Sequence, residues 1–200
     1  VLELRIKRGI DVVAAAVLLL LLGPLLAALA VIVRLDSPGP ALYRRRVLGR
    51  GGRPFDALKL RTMVCDGDAL LAARPDLQAR LRIEHKLDDD PRITRCGRWL
   101  RRSSLDELPQ LWNVLRGDMS LVGPRMISPP ELARYGAQSE ALLQVQPGLT
   151  GLWQVSGRSN LEPAERVRLD LTYVRQRSLA LDVQLLWRTI PAVLFGRGAR

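Results

Sequence analysis

The feature that most constrains this chain is an uncharged run of 22 residues, Val12 to Val33, with Arg5, Lys7 and Arg8 before it and Arg34 after it. That is the length a helix needs to cross a bilayer. It is too long for a cleaved signal peptide, and no small-residue cleavage site follows it. No second run in the 200 residues is as long and apolar, so a transporter with four or six spans is excluded. The midpoint is Gly23-Pro24. Proline removes a backbone donor and clashes with the preceding turn, so a kink is expected there. Each half, Val12 to Leu22 and Leu25 to Val33, is about 15 Å long, half the hydrocarbon thickness. Arg44, Arg45, Arg46, Arg50 and Arg53 crowd the far end, and the positive-inside tendency then wants both ends in the cytoplasm. Two topologies stand: a plain spanning helix with a tolerated proline, and a re-entrant helix hinged at Gly23 and Pro24.

The chain has room for one compact domain with its own core, and two would be a tight fit. The expected division is a membrane helix over 1–35 and a single domain over 36–200. A hydrophobic share of 48% with 26% charged residues excludes disordered and collagen-like chains. Cys65 and Cys96 are too few for a disulfide framework and lack zinc-site spacing, which points to a reducing compartment. The formal charge is +11, and Lys7, Lys59 and Lys86 are the three lysines, leaving 28 arginines. Coding bias accounts for part of that excess. An anionic partner accounts for the rest: nucleic acid, anionic lipid or a diphosphate, whose oxygens suit the guanidinium fork.

Local patterns predict a mainly α fold with a small β-hairpin (α+β). Asp36 to Pro40 reads as a turn, and Ala41 to Val47 with Phe55 to Leu60 read as strands joined across Gly49-Arg50-Gly51-Gly52. That glycine cluster is a turn and not a dinucleotide loop, because Pro54 stands where the third glycine belongs. Asp66 to Arg82 reads as helical with a break near Pro75. Asp66-x-Asp68 and Asp88-x-Asp90 match the loose Asp-x-Asp metal pattern, yet a solvated turn or helix cap is the plainer reading. Leu179 to Phe195 is apolar apart from Asp182, Gln184, Arg188 and Pro191, and suits an interfacial helix or a core helix.

The chemistry-bearing stretch begins with Arg92, Arg95, Arg98, Arg101 and Arg102. Steps of three place most of them along one side of a helix, and such crowding of like charges calls for an anion. Ser103-Ser104-Leu105-Asp106-Glu107 follows. Ser104 and Glu107 stand at capping-box spacing, so the acids suit a helix start. They equally suit catalysis, one carboxylate attacking phosphorus while the other handles protons or metal.

Asp90 to Arg95, Leu100 to Leu115 and Gly117 to Arg125 closely resemble the bacterial sugar transferase family, the polyprenyl-phosphate sugar-1-phosphate transferases or monotopic phosphoglycosyl transferases. Leu35 to Pro40, Lys59 to Met63, Pro147 to Val155 and Gly157-Arg158 extend the resemblance over nearly the whole chain. The resemblance implies transfer of a sugar 1-phosphate from a UDP-sugar to polyprenyl phosphate at the cytoplasmic face of the bacterial inner membrane. It implies Asp106 as nucleophile and metal-side carboxylate, Glu107 as its assistant, and Mg²⁺ as cofactor. Arg101 and Arg125 match phosphate-holding arginines; Lys59 and Arg158, within matched motifs, join them as candidate substrate ligands. Asp182 is added as a supporting acid near those arginines. The resemblance also favours re-entry of the N-terminal helix. Gly23 stands where the family often has serine, Met126 where a second proline is common, and the chain corresponds to the family's minimal form. The partners implied are UDP-sugar, polyprenyl phosphate and membrane lipid; nucleic acid is not expected, and a homo-oligomer stays open. The competing reading is a non-catalytic basic protein that binds membranes or nucleic acid.

Overall fold

The apolar run lies within a 35-residue helix, α1 (Leu2–Asp36), that stays helical through Pro24. The computed structural model describes residues 2–84, 87 and 89–194. The parts of the expectations that rest on Asp88 and Phe195 lie outside those residues. Asp11, Ala15, Leu29 and Val33 are buried, with Ala14, Leu19, Leu22 and Ala30 packed beside them. Steps of three and four keep these positions on one helical stripe. The opposite side keeps Leu20 and Leu21 exposed, at 80% and 69%.

Both ends of α1 are tied to the rest of the molecule by charge. Lys7 Nζ donates to Asp182 Oδ2 at 2.6 Å and to the Val122 carbonyl at 3.1 Å. Asp11 accepts from Ser120 Oγ at 2.8 Å and the Leu121 N–H at 3.1 Å. At the other end Arg61, 5% exposed, donates to the carbonyls of Pro40 and Ser37 and to Ser37 Oγ. Pro40 and Ser37 belong to the turn that follows α1, and Arg61 also reaches the Val33 carbonyl in the last turn of the helix at 3.4 Å.

The expected hairpin forms from β1 (Leu42–Leu48) and β2 (Pro54–Leu60), antiparallel, with Tyr43 opposite Lys59. Its turn holds Gly51 and Gly52 at φ 69° and 72°, where a side chain would be strained. The break at Pro75 separates α2 (Gly67–Ala72) from α3 (Pro75–Glu84). After α4 (Arg95–Ser103) and α5 (Gln110–Arg116) comes β3 (Ser120–Val122), then α6 (Ser139–Leu143), β4 (Gly148–Thr150) and α7 (Leu152–Ser156). The parallel β3–β4 pair was not anticipated: at three residues each, the strands are too short to show alternation. The described chain closes with α8 (Pro163–Gln176) and α9 (Leu179–Leu194).

Asn113 joins α5 to the hairpin by taking the place of a strand neighbour. Its Oδ1 accepts from the Leu58 N–H at 3.0 Å while its Nδ2 donates to the Asp56 carbonyl at 2.9 Å. Gly97 lets α4 pass over the end of β2, since a Cβ there would lie 2.2 Å from the Thr62 carbonyl oxygen. The helix α9 is a core helix on one side, as one of its two sequence readings had it. Leu185 is fully buried against the core, whereas Val183, Trp187 and Ile190 leave an apolar outer face exposed.

Candidate active site

The turn after α4 sets the site. Ser104 is left-handed, with φ 58°, and reverses the chain at the helix end. Leu105–Glu107 then forms a single 3-10 turn that buries Asp106. The capping-box reading of Ser104 and Glu107 is thereby overturned: Ser104 makes no side-chain cap, and its Oγ instead accepts from Arg158 at 3.1 Å. Arg158 is also left-handed, with φ 51°. These two are the non-glycine residues with positive φ among the described ones, and they touch each other. Local strain of this kind costs on the order of 1 kcal/mol per residue and persists where surrounding contacts enforce it.

Asp106 is only 7% exposed, and among the described residues no group hydrogen-bonds its carboxylate. Its closest cation is Lys59, with Nζ at 3.7 Å. Lys59 closes instead on Glu107 Oε1 at 2.5 Å, and Arg125 stands 4.0 Å from the same oxygen. The two neighbouring acids therefore diverge. Burial pushes Asp106 up to about 6, against the pull of Lys59 and reinforced by the charge of Glu107. Burial acts on Glu107 in the same sense, but Lys59, Arg125 and Arg158 overcome it and hold the carboxyl well below the usual range.

Arg101 reaches the site from the last turn of α4. Its Nε donates to Thr62 Oγ1 at 2.9 Å, and its charge faces Asp106 and Asp90. The expected one-sided row of arginines splits: Arg92 pairs with Asp90 at 2.7 Å, while Arg95, Arg98 and Arg102 face solvent. Arg125 lies over the Trp153 ring, 5.1 Å from its centroid, and Arg166 lies 5.3 Å from that centroid. The Arg125 N–H donates to Asp170 Oδ1 at 3.0 Å, and the Tyr135 hydroxyl donates to Asp170 Oδ2 at 2.8 Å. Asp170 thus fixes the backbone from which Arg125 projects.

Lys59, Arg101, Asp106, Glu107, Arg125 and Arg158 line one cleft of about 1080 Å³. Asp182 does not join them. It is consumed by Lys7 and by the Tyr173 hydroxyl at 2.7 Å, so its role is to fasten α9 to α1. Asp68 lines the cleft wall, but no group of three His, Cys, Asp or Glu side chains gathers anywhere among the described residues. Thr62, Asp170 and Trp153 were missed as supports. Thr62 and Trp153 both lay inside matched motifs, which was the available signal; Asp170 sits in an ordinary amphipathic helix.

A left-handed turn here presents a buried carboxylate to a cleft lined by Lys59, Arg101, Arg125 and Arg158, an arrangement suited to phosphate oxygens. Comparison carries this further. The bacterial sugar transferase family matches residues 2–196, and the chain belongs to that family. It is 44% identical to the exopolysaccharide production protein ExoY of Rhizobium meliloti, over 96% of this chain and 87% of that protein. It is 47% identical to the UDP-glucose:undecaprenyl-phosphate glucose-1-phosphate transferase of Caulobacter vibrioides, over 94% of this chain and 69% of the relative. The undecaprenyl-phosphate galactose phosphotransferase of Salmonella typhimurium is 44% identical over 97% of this chain, which spans 41% of its length. The protein is a sugar-phosphate transferase, and the reading as a non-catalytic basic binder is set aside.

Proposed function

We propose that the protein transfers a sugar 1-phosphate from a UDP-sugar to undecaprenyl phosphate at the cytoplasmic face of the inner membrane, through a covalent intermediate on Asp106. The observation that carries this reading is the buried Asp106 carboxylate, without a hydrogen-bond partner among the described residues and facing the charges of Lys59, Arg101 and Arg125. A structural carboxylate so buried would be hydrogen-bonded.

In the first step an Asp106 oxygen attacks the phosphorus that bears the sugar. The bond from that phosphorus to the bridging oxygen breaks, and UMP leaves with the electron pair. In the second step a phosphate oxygen of the acceptor attacks the same phosphorus and expels Asp106, giving polyprenyl diphosphosugar. Splitting the transfer in two predicts ping-pong kinetics. The cations meet the central difficulty, an anion attacking an anion, by neutralising the phosphoryl oxygens. Glu107 is held ionised, so it donates no proton at neutral pH; it anchors Lys59 beside Asp106.

The donor set suits Mg²⁺, which is bound through one or two carboxylates with substrate phosphates and water filling the octahedron. Asp106 supplies a free carboxylate oxygen for it, while Glu107 is engaged by Lys59. The ion would supply Lewis-acid neutralisation of the diphosphate. The test is UMP release from UDP-sugars, with undecaprenyl phosphate and Mg²⁺ each omitted in turn, together with intact-mass detection of a phosphosugar adduct. Turnover retained by Asp106→Asn would overturn the mechanism.

A further inference from the structure

We propose that the seam between α1 and α9 is the groove that receives the first isoprene units of the acceptor; this rests on the reaction proposed above. The cleft does not end at its charged floor. It continues between Ala14 and Leu18 of α1 and Leu186, Thr189 and Val193 of α9, over Leu149. The polar atoms in that part satisfy one another: the Thr150 and Thr189 hydroxyls meet at 2.7 Å, and Thr189 donates to the Leu185 carbonyl. Leu18, Leu149, Leu186 and Val193 make that part of the lining predominantly apolar.

A nucleotide sugar is polar along its whole length and gains nothing from such a wall. An amphiphile gains at both ends, with its phosphate among Lys59, Arg101 and Arg125 and its chain along Leu18, Leu186 and Val193. The rim of the groove is apolar, as a mouth open to hydrocarbon requires. Leu21 on α1, three residues after Leu18, and Val183, Trp187 and Ile190 on α9 stand exposed beside it, whereas Leu20 points away from the lining. Leu18 lies 11 residues beyond Lys7, the point where α1 is pinned to Asp182, or about 16 Å along the helix and within one leaflet. Phosphate and chain therefore enter from the lipid side, while the nucleotide sugar reaches the same floor from water.

The experiment measures UMP release by the full chain in phospholipid vesicles, with undecaprenyl phosphate or a two-isoprene phosphate as acceptor. Leu18→Trp and Val193→Trp fill the groove and should raise KM for undecaprenyl phosphate at least tenfold, with KM for UDP-sugar within twofold of wild type. Leu20→Trp, on the exposed side of α1, should move neither. Should the tryptophans unfold the protein, Leu18→Ala carries the test: it should shrink the preference for the long acceptor over the short one severalfold. Active tryptophan variants with an unchanged acceptor KM, or an unchanged chain-length preference in Leu18→Ala, would overturn the groove alone. A wild type that releases no acceptor-dependent UMP would overturn the reaction and the groove with it.

Discussion

Neutralising Asp106 and neutralising Glu107 should shift stability in opposite directions, although the two are adjacent. Asp106 ionises near 6 in the folded protein and near 3.8 in the unfolded chain. Between those values the unfolded chain has released a proton that the folded one retains. Stability therefore falls as pH rises from about 4 to about 6, and stays lowered above that. A pKa shift of that direction and size corresponds to a destabilisation on the order of a few kcal/mol at pH 7.5. Asp106→Asn keeps the shape and removes the titration, so it should stabilise by about that much, on the order of 6–12 °C in Tm for a chain of this size. Turnover should vanish in the same variant. The site is thus held ready at the expense of stability.

Glu107 carries the reverse sign. Burial raises it, yet Lys59, Arg125 and Arg158 win and bring it from 4.5 down to about 2. Its contribution is present above pH 4.5 and lost as pH falls through about 2. Glu107→Gln should therefore destabilise at pH 7.5 by about 3 kcal/mol, leaving Lys59 and Arg125 without their counter-charge. The assay is thermal unfolding of the full chain in nanodiscs from pH 4 to pH 8. The gap between Asp106→Asn and wild type should be near zero at pH 4 and open to a plateau above pH 6. An Asp106→Asn variant less stable than wild type, or a gap independent of pH, would refute the account of a bare, desolvated carboxylate.

Arg101→Lys keeps the charge but loses the Nε contact to Thr62 and the planar fork; it should cost about 2–4 kcal/mol in kcat/KM for UDP-sugar. Arg125→Lys should cost a similar amount, and full activity in both would reduce these arginines to bystanders. Asp170→Ala frees the Arg125 backbone and the Tyr135 hydroxyl together. It should lower Tm and kcat, with Asp170→Asn recovering part of both; an unchanged kcat would show that Arg125 positions itself.

Much of this could be read from the chain before its fold was known, because the relevant signals are local. The hairpin follows from strand residues on either side of a glycine turn, and the Pro75 break follows from proline chemistry. The grouping of Asp106, Glu107, Lys59, Arg101, Arg125 and Arg158 was legible through motif resemblance, since spacing alone favoured a helix cap. What stayed hidden depends on contacts distant in sequence. Asp182 was placed near the arginines, but its partner is Lys7, 175 residues away. Asp11 sits at the edge of the apolar run and hydrogen-bonds Ser120 and Leu121, across more than 100 residues. The Ser104 turn was misread because its left-handed φ is imposed by the site and not by local preference.

Those distant contacts also reshape the argument about the membrane. On sequence grounds the midpoint proline, the half-bilayer length of each half and the arginines at both ends argued together for both ends of the apolar helix sharing a side; α1 is helical on both sides of Pro24. A stronger reason is that Lys7, Arg8 and Asp11 grip β3, α5 and α9, while Arg61 grips the far end of α1. If those contacts persist in the membrane, both ends of the helix stay on one side and its exposed middle at Leu20 and Leu21 is the part offered to lipid, an outcome that hinge and anchor variants test. Replacing Gly23-Pro24 with Ala-Leu should then leave the topology unchanged. Releasing the anchor should change it: Asp182→Leu removes the buried carboxylate that holds both the partly exposed Lys7 ammonium and the Tyr173 hydroxyl, a loss on the order of 1–3 kcal/mol. Leu2→Cys, with Cys65 and Cys96 replaced by serine, reports the outcome through an impermeant thiol reagent added to intact cells. Protection is expected in the parent and in the Ala-Leu variant, and labelling only when Asp182→Leu is combined with Ala-Leu. Periplasmic labelling of the parent would mean that α1 spans, and that these anchors do not hold in the membrane.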